Sequence, residues 1–299
     1  MRVIVRQISG LGNQLFQYAA GIYYARHYGG QLSVVLEPAK QRFSNGAPRP
    51  VLLSHFNISA PVYDAGWTDN LYLTERRKLQ PMARVARSLS RVHVLRETLA
   101  QRYALLSPPV LPDDLRALYL VGYWQTYRIA AAVEDQVRRE FAFREPAAGR
   151  NAEVLARIAA TSQPVSLHIR RGDYTLAVEG NLALPMTYYQ DAIRAMREKL
   201  ANPTFFVFSD DPGFARANLP HDLPAVYIDH NDDYTSFEDL RLMSGCHHHI
   251  LANSSFSWWG AWLNTRRDKT VFAPRQWLRL PGSSYPELTP PEWRLFDVA

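Results

Sequence analysis

The period of the hydrophobic pattern changes along the chain, and each change marks an element. An apolar run over residues 2–7 predicts a strand, and Gly10-Leu11-Gly12 follows it as a tight turn. From Asn13 to about Tyr28, Leu15, Phe16, Ala19, Ala20, Ile22 and Tyr23 recur at helical spacing, closed by Gly29-Gly30. Leu32–Glu37 then reads as a second strand. A βαβ opening of this kind predicts a parallel sheet. Residues 40–112 are irregular and rich in Pro, Arg and Ser, with a helix expected near Pro81–Leu99, and Ala117–Val121 reads as a short strand.

Helical patterning over 128–143 and 151–161 flanks Pro146-Ala-Ala-Gly149, whose linker-like composition puts a domain boundary near 150. Beyond Pro164 the alternation is regular. Strand Val165–Arg170, helix Met186–Leu200, strand Phe205–Phe208, helix Pro212–Asn218 and strand Ala225–Asp229 follow in turn. A helix near Ser236–Ser244, strand His249–Ala252, helix Ser257–Leu263 and a strand near Thr270–Ala273 complete the series. The pattern predicts an α/β protein of two facing Rossmann-like domains, 1–150 and 151–299.

Composition supports this reading. The chain has 299 residues, 47% of them hydrophobic, which is enough for two cores, and its 21% charged residues are scattered as in a globular protein. The single cysteine, Cys246, excludes an intrachain disulfide. The apolar run in MRVIVRQISG is too short for a signal peptide, so a cytoplasmic setting is expected. No stretch approaches the roughly 20 apolar residues of a membrane span. The net charge of +6 suits nucleic acid, an anionic membrane surface or a phosphorylated substrate, and the excess of arginine over lysine favours phosphate.

Three polar clusters stand at three strand ends. In Val165-Ser-Leu-His-Ile-Arg170 the alternation puts Ser166, His168 and Arg170 on one face, and Arg171, Gly172, Asp173 and Tyr174 follow at the carboxyl end, where open α/β sheets bind ligands. An arginine there can grip two phosphate oxygens; a surface salt-bridge cluster is the competing reading. Phe205–Phe208 ends in Ser209-Asp210-Asp211-Pro212. Asp211 reads as the cap of the helix at Pro212, while Asp210 is free to bond a ribose, orient the arginines or ligate a metal. Ile250-Leu-Ala252 runs into Asn253-Ser254-Ser255-Phe256 at a helix N-terminus, a place that favours phosphate, with Trp258, Trp259 and Trp262 behind it as core. Asp239, on the preceding helix, is either a solvated acid or a carboxylate for the paired donors of a guanine edge.

Two other patterns are weaker. His247-His-His249 invites zinc, but consecutive residues cannot converge on one tetrahedral ion, so no metal site is expected. Gly10-Leu-Gly12 with Glu37 resembles a dinucleotide fingerprint whose third glycine is replaced by Leu15. A nicotinamide-dependent oxidoreductase built on that turn is therefore an alternative, as is a non-enzymatic basic module for glycans or nucleic acid. Neither explains all three clusters. Asn13 and Gln14 place side-chain amides at the start of the first helix, facing whatever lies between the domains.

Residues 10–21 (Gly-Leu-Gly-Asn-Gln-Leu-Phe-Gln-Tyr-Ala-Ala-Gly), His168-Ile-Arg-Arg-Gly-Asp-Tyr174, Phe208-Ser-Asp-Asp211 and Asn253-Ser-Ser-Phe-Ser-Trp-Trp-Gly-Ala-Trp-Leu263 together resemble the α-1,2-fucosyltransferases. The resemblance implies a GT-B-like fold, GDP-fucose as donor, a galactose-terminated glycan as acceptor, inversion at the anomeric carbon, and neither a metal cofactor nor nucleic acid as partner. It assigns GDP-fucose binding to the 151–299 domain and the acceptor to 1–150. More distant α-1,6- and protein O-fucosyltransferases share the His-x-Arg pattern, and that likeness implies that His168 and Asp239 hold the guanine and that Arg170 binds the β-phosphate, while Ser254, Ser255 and Phe256, after Asn253, match the family's phosphate-proximal loop. Asn13, beside Gly12, matches an asparagine near the reactive end of the donor. Asp173 is the first candidate for general base, and Glu179 is the second. Vertebrate members carry an N-terminal anchor that this chain lacks, so it resembles the bacterial enzymes of surface glycans. The +6 charge alone suggests peripheral contact with the inner face of a membrane.

Overall fold

In the computed structural model of the protein, Val3, Ile4 and Val5 are fully buried, as a strand covered on both faces requires. Residues 1–37, 49–98, 107–175, 183–278 and 287–298 are described, Asp173 by its backbone alone. The chain divides into one unit of Met1–Ala142 with Pro286–Leu288 and another of Phe143–Tyr285 with Thr289–Ala299.

The first unit contains β1 (Arg2–Gln7), α1 (Leu11–His27), β2 (Gln31–Leu36), β3 (Val62–Asp64), α2 (Trp67–Leu73), α3 (Gln80–Leu89), β4 (Val92–Arg96), β5 (Ala117–Val121), α4 (Tyr127–Ala132) and α5 (Glu134–Glu140). Its sheet runs β3-β2-β1-β5-β4, with every pair parallel. Helix α1 is buried nearly all round, and Gly21 lets it lie close to β2: a Cβ there would meet Leu32 at 2.6 Å. The helix expected near Pro81–Leu99 ends at Leu89. Arg91 takes φ 55° and turns the chain into β4, whose Val92 and Val94 pack on Tyr119 and Val121. A left-handed turn is usually marked by Gly or Asn, and no such mark stands here.

The second unit contains α6 (Gly149–Ala160), β6 (Pro164–Ile169), α7 (Met186–Lys199), β7 (Thr204–Ser209), α8 (Pro212–Asn218), β8 (Ala225–Ile228), α9 (Ser236–Gly245), β9 (His248–Ile250), α10 (Ser255–Leu263), β10 (Val271–Pro274) and β11 (Arg294–Phe296). Its parallel sheet runs β11-β10-β9-β6-β7-β8. Along β7, Phe205 and Val207 face the core that holds Tyr188, Ile193 and Met196 of α7, while Phe206 and Phe208 face Leu242 and Met243 of α9. Helices on both sides explain the unbroken apolar run. Trp258 and Trp259 are fully buried, and Trp258 stacks on Trp262 at 6.2 Å.

The division falls between Ala142 and Phe143, and Pro146–Gly149 leads into α6 inside the second unit. Glu287 returns to the first unit: its carbonyl accepts from the Tyr127 N–H at 2.8 Å, and its carboxylate pairs with Arg128 at 2.8 Å. No local pattern announces that return. Among the described residues, no helix is long and apolar enough to cross a membrane.

Candidate active site

In the second sheet β6 leads to β7 on one side, while β9 lies beside β6 on the other. The strand order therefore reverses between β6 and β9, and open α/β sheets bind ligands at the carboxyl ends of the strands at such a point. Arg170 follows β6 there. Its Nη1 lies 3.0 Å from Oδ2 of Asp210, at the end of β7, and its guanidinium carbon sits 5.6 Å from the centroid of Tyr174. Oδ1 of Asp210 accepts the Arg171 N–H at 2.8 Å. Asp210 thus fixes both the turn after β6 and the direction of Arg170. Asp211 caps α8, accepting from the Phe214 N–H at 2.9 Å.

The paired arginines part company: the Arg171 guanidinium stacks over Phe214 at 3.7 Å. Gly172 then passes so close to Asp210 that an added Cβ would stand 2.5 Å from Oδ2. Gly172→Ala is expected to displace Asp210 and lower catalytic efficiency about tenfold, with little further loss in an Asp210→Ala background. Steady-state kinetics of the two single variants and the double variant would show it; fully additive losses would break the connection.

Tyr174 joins the segments that follow β6 and β9, since its hydroxyl donates to the Asn253 carbonyl at 3.2 Å. The Asn253 side chain is buried and donates to the Trp277 carbonyl at 2.9 Å, so it positions its loop. Ser254 caps α10 by accepting from the Phe256 N–H at 3.3 Å, and Ser255 opens the helix. Phe256 lies 5.9 Å from the ring of His168. His168 is buried, and burial, with Arg170 as a second cause, lowers its pKa to about 3, so the imidazole is neutral. Its Nδ1 is buried without a hydrogen-bond partner among the described residues. The geometry therefore gathers His168, Arg170, Asp210 and Asn253–Phe256, with Tyr174 as a connector that sequence reasoning gave no role.

Asp239 stands in the first turn of α9, the helix that packs on α10. Burial raises its pKa to about 7, although Asn231 Nδ2 donates to it at 2.7 Å. A carboxyl raised above its unfolded value of about 3.9 favours the fold at low pH, and that contribution is lost as pH rises through 7. Asp239→Asn is therefore expected to raise the thermal midpoint above about pH 7 and to match wild type below about pH 4. A pH series of melting curves measures this, and equal midpoints above neutrality would contradict it.

In the first unit, strand order reverses between β1 and β5. Asn13 bridges the loops at that point, donating to Ser9 Oγ at 2.9 Å and accepting from Gln125 Nε2 at 2.7 Å. Gly12 lies buried within α1. Gln14 departs from expectation. It is fully buried, donates to the carbonyls of Ser9 and Pro50 and accepts from the Leu52 N–H, so it pins its own unit together. Glu37 meets buried Arg6 at 2.9 and 3.2 Å, which commits the carboxylate proposed for a ribose. His249 bonds Ser166 and Asn264, whereas His248 bonds Gln163 and the Thr270 N–H. These histidines tie strands together. Among the described residues, no group of three His, Cys, Asp or Glu could hold a metal ion. The side chain of Asp173 and all of Glu179 lie outside the described residues.

Two α/β units, each built on a parallel sheet, give the chain a fold of the GT-B type. The crystal structure of fucosyltransferase NodZ from Bradyrhizobium shares that fold, with a TM-score of 0.50 and 14% identity over 87% of this chain and 92% of that one. The chain belongs to glycosyl transferase family 11, whose model matches residues 70–293, and is a glycosyltransferase. It is 31% identical to the O-antigen biosynthesis glycosyltransferase WbnK of Escherichia coli, over 95% of this chain and 97% of that protein. It is 28% identical to an alpha-1,2-colitosyltransferase of Escherichia coli, over 97% of each. It is also 25% identical to galactoside alpha-(1,2)-fucosyltransferase 1 of Ateles belzebuth, over 94% of this chain and 69% of that protein.

Proposed function

We propose that the protein transfers L-fucose from GDP-fucose to the 2-hydroxyl of a terminal β-galactoside, with inversion and without a metal. The observation that carries the reading is the Asp210-held Arg170, joined through Tyr174 to the N-terminus of α10. In an inverting transfer the acceptor oxygen bonds to the anomeric carbon as the bond to the β-phosphate oxygen breaks, through an oxocarbenium-like state. Negative charge then grows on the leaving phosphate. Arg170 and the positive end of the α10 dipole stabilise it. The acceptor proton passes to a base, for which Asp173 is our candidate.

Neutral His168 and Asp239 serve the guanine in this reading. A carboxylate meets the two adjacent donors of the guanine edge, and hydrogen bonds from those donors offset the desolvation that Asp239 already bears. Asp239→Asn is accordingly expected to weaken GDP binding by about tenfold or more, even where it stabilises the fold. The colitosyltransferase relative favours a second reading, in which the donated sugar is colitose.

GDP release from GDP-fucose and from GDP-colitose, with and without lactose and in EDTA, tests both readings. Acceptor-stimulated release from GDP-fucose in EDTA, yielding an α-1,2-linked product, is the expected result. Release from GDP-colitose alone would move the assignment to colitose. Loss of release in EDTA, restored by a divalent ion, would refute metal independence; absence of GDP binding would overturn the reading.

A further inference from the structure

Helix α3 carries an apolar stripe that the fold does not use. Met82, Val85 and Leu89 fall on one face at spacings of three and four residues, yet they are 52%, 59% and 81% exposed. Only Ala83 of this helix is buried. An ordinary surface helix turns its apolar stripe to the core; here the stripe faces solvent. On α2, which packs against α3, Trp67 is 74% exposed.

The charge around the stripe is one-sided. Between residues 75 and 91 stand six basic side chains, Arg76, Arg77, Lys78, Arg84, Arg87 and Arg91, against the single acid Glu75. Glu75 is engaged by Arg6 and Arg96, Arg91 pairs with Asp114, and Arg87 donates to the Tyr72 carbonyl. Arg76, Arg77, Lys78 and Arg84 are exposed and make no ion pair among the described residues. An exposed apolar stripe flanked by uncommitted cations and next to an exposed tryptophan is the pattern of a helix that lies in the plane of a membrane interface.

We propose that α3 is a membrane-surface element. Met82, Val85 and Leu89 enter the boundary between headgroups and acyl chains of an anionic bilayer, while Arg76, Arg77 and Lys78, just before the helix, meet lipid phosphates. The partner is anionic phospholipid rather than a second copy of the chain, because a two-fold contact would set this cationic surface against itself. The proposal is independent of the donor and acceptor, since vesicle binding requires neither.

Co-sedimentation of the full chain with phosphatidylcholine vesicles, with and without phosphatidylglycerol, tests it. Wild type is expected to bind the anionic vesicles and to be released by salt. The triple variant Met82→Ser/Val85→Ser/Leu89→Ser should bind at least about tenfold more weakly. Arg76→Gln/Arg77→Gln/Lys78→Gln should lose about a hundredfold, at roughly fivefold per cation. Neither set removes a buried side chain, so melting midpoints should stay at the wild-type value, which separates lost docking from lost folding. As a second readout, Leu89→Cys carrying a polarity-sensitive fluorophore should shift to the blue on anionic vesicles, with native Cys246 buried away from the label. Failure of wild type to bind, or binding untouched by the triple serine variant, would overturn the proposal. A dimer in sedimentation velocity that the serine variant abolishes, without vesicle binding, would assign the stripe to a second copy instead.

Discussion

Arg170→Ala is expected to lower kcat/KM for the sugar-nucleotide donor by about a hundredfold to a thousandfold, the usual cost of removing a preorganised donor aimed at developing charge. The side chain suits that role because Asp210 fixes its direction at 3.0 Å while leaving it about one quarter exposed, with room for a ligand. An arginine held in place undergoes little reorganisation as charge builds. If it acts on the departing phosphate, kcat should fall together with kcat/KM; if it only binds the ground state, KM alone should rise. Arg170→Lys should recover only part of the loss, because an ammonium lacks the fork that meets two oxygens. Asp210→Asn should cost about tenfold, since the arginine survives but its aim loosens. Wild-type kinetics in Arg170→Ala would remove the arginine from the mechanism.

Arg6→Met is expected to destabilise the protein by about 3 kcal/mol or more, because it takes from buried Glu37 the cation that meets both its oxygens. Both partners are nearly inaccessible, at 4% and 7%, so water cannot replace the interaction. Arg6 also reaches Glu75, and through it Arg96, so this one side chain secures the ends of β1, β2 and β4. The double variant Arg6→Met/Glu37→Leu should recover most of the loss, since an apolar pair of similar volume avoids desolvating two charges. Denaturant titration of the three variants gives both numbers. A double variant no better than Arg6→Met alone would contradict the ion-pair account. The same pair also answers the dinucleotide pattern: an acid at a strand end is a ribose ligand only when its oxygens are free.

Much of the second unit was legible in the chain. Its strands alternate or run apolar according to which faces are covered, and its clusters at Arg170, Asp210 and Ser254 stand at strand ends because parallel strands deliver their carboxyl ends to one edge. The first unit was harder to read. Strand β4 lies where the pattern predicts a helix, because Arg91 makes the left-handed turn without a glycine, and β3 is only three residues long. Gln14 stands where the pattern turns it between the domains, yet it spends its side-chain hydrogen bonds on the Ser9 and Pro50 carbonyls and the Leu52 N–H.

The sequence by itself determined the α/β class, the polar strand ends and the family, because these rest on local periodicity and on residues close together in the chain. Only the tertiary structure decided which polar groups remain available to a ligand. Arg170 and Arg171 are neighbours with identical side chains, yet one is aimed by Asp210 and the other is stacked on Phe214. Glu37 and Asp239 are both acids in reach of a ligand site by pattern; one is committed to Arg6, and the other is left with a raised pKa. Free energy at such a site depends on desolvation and on partners distant in sequence, and neither is encoded in the local pattern.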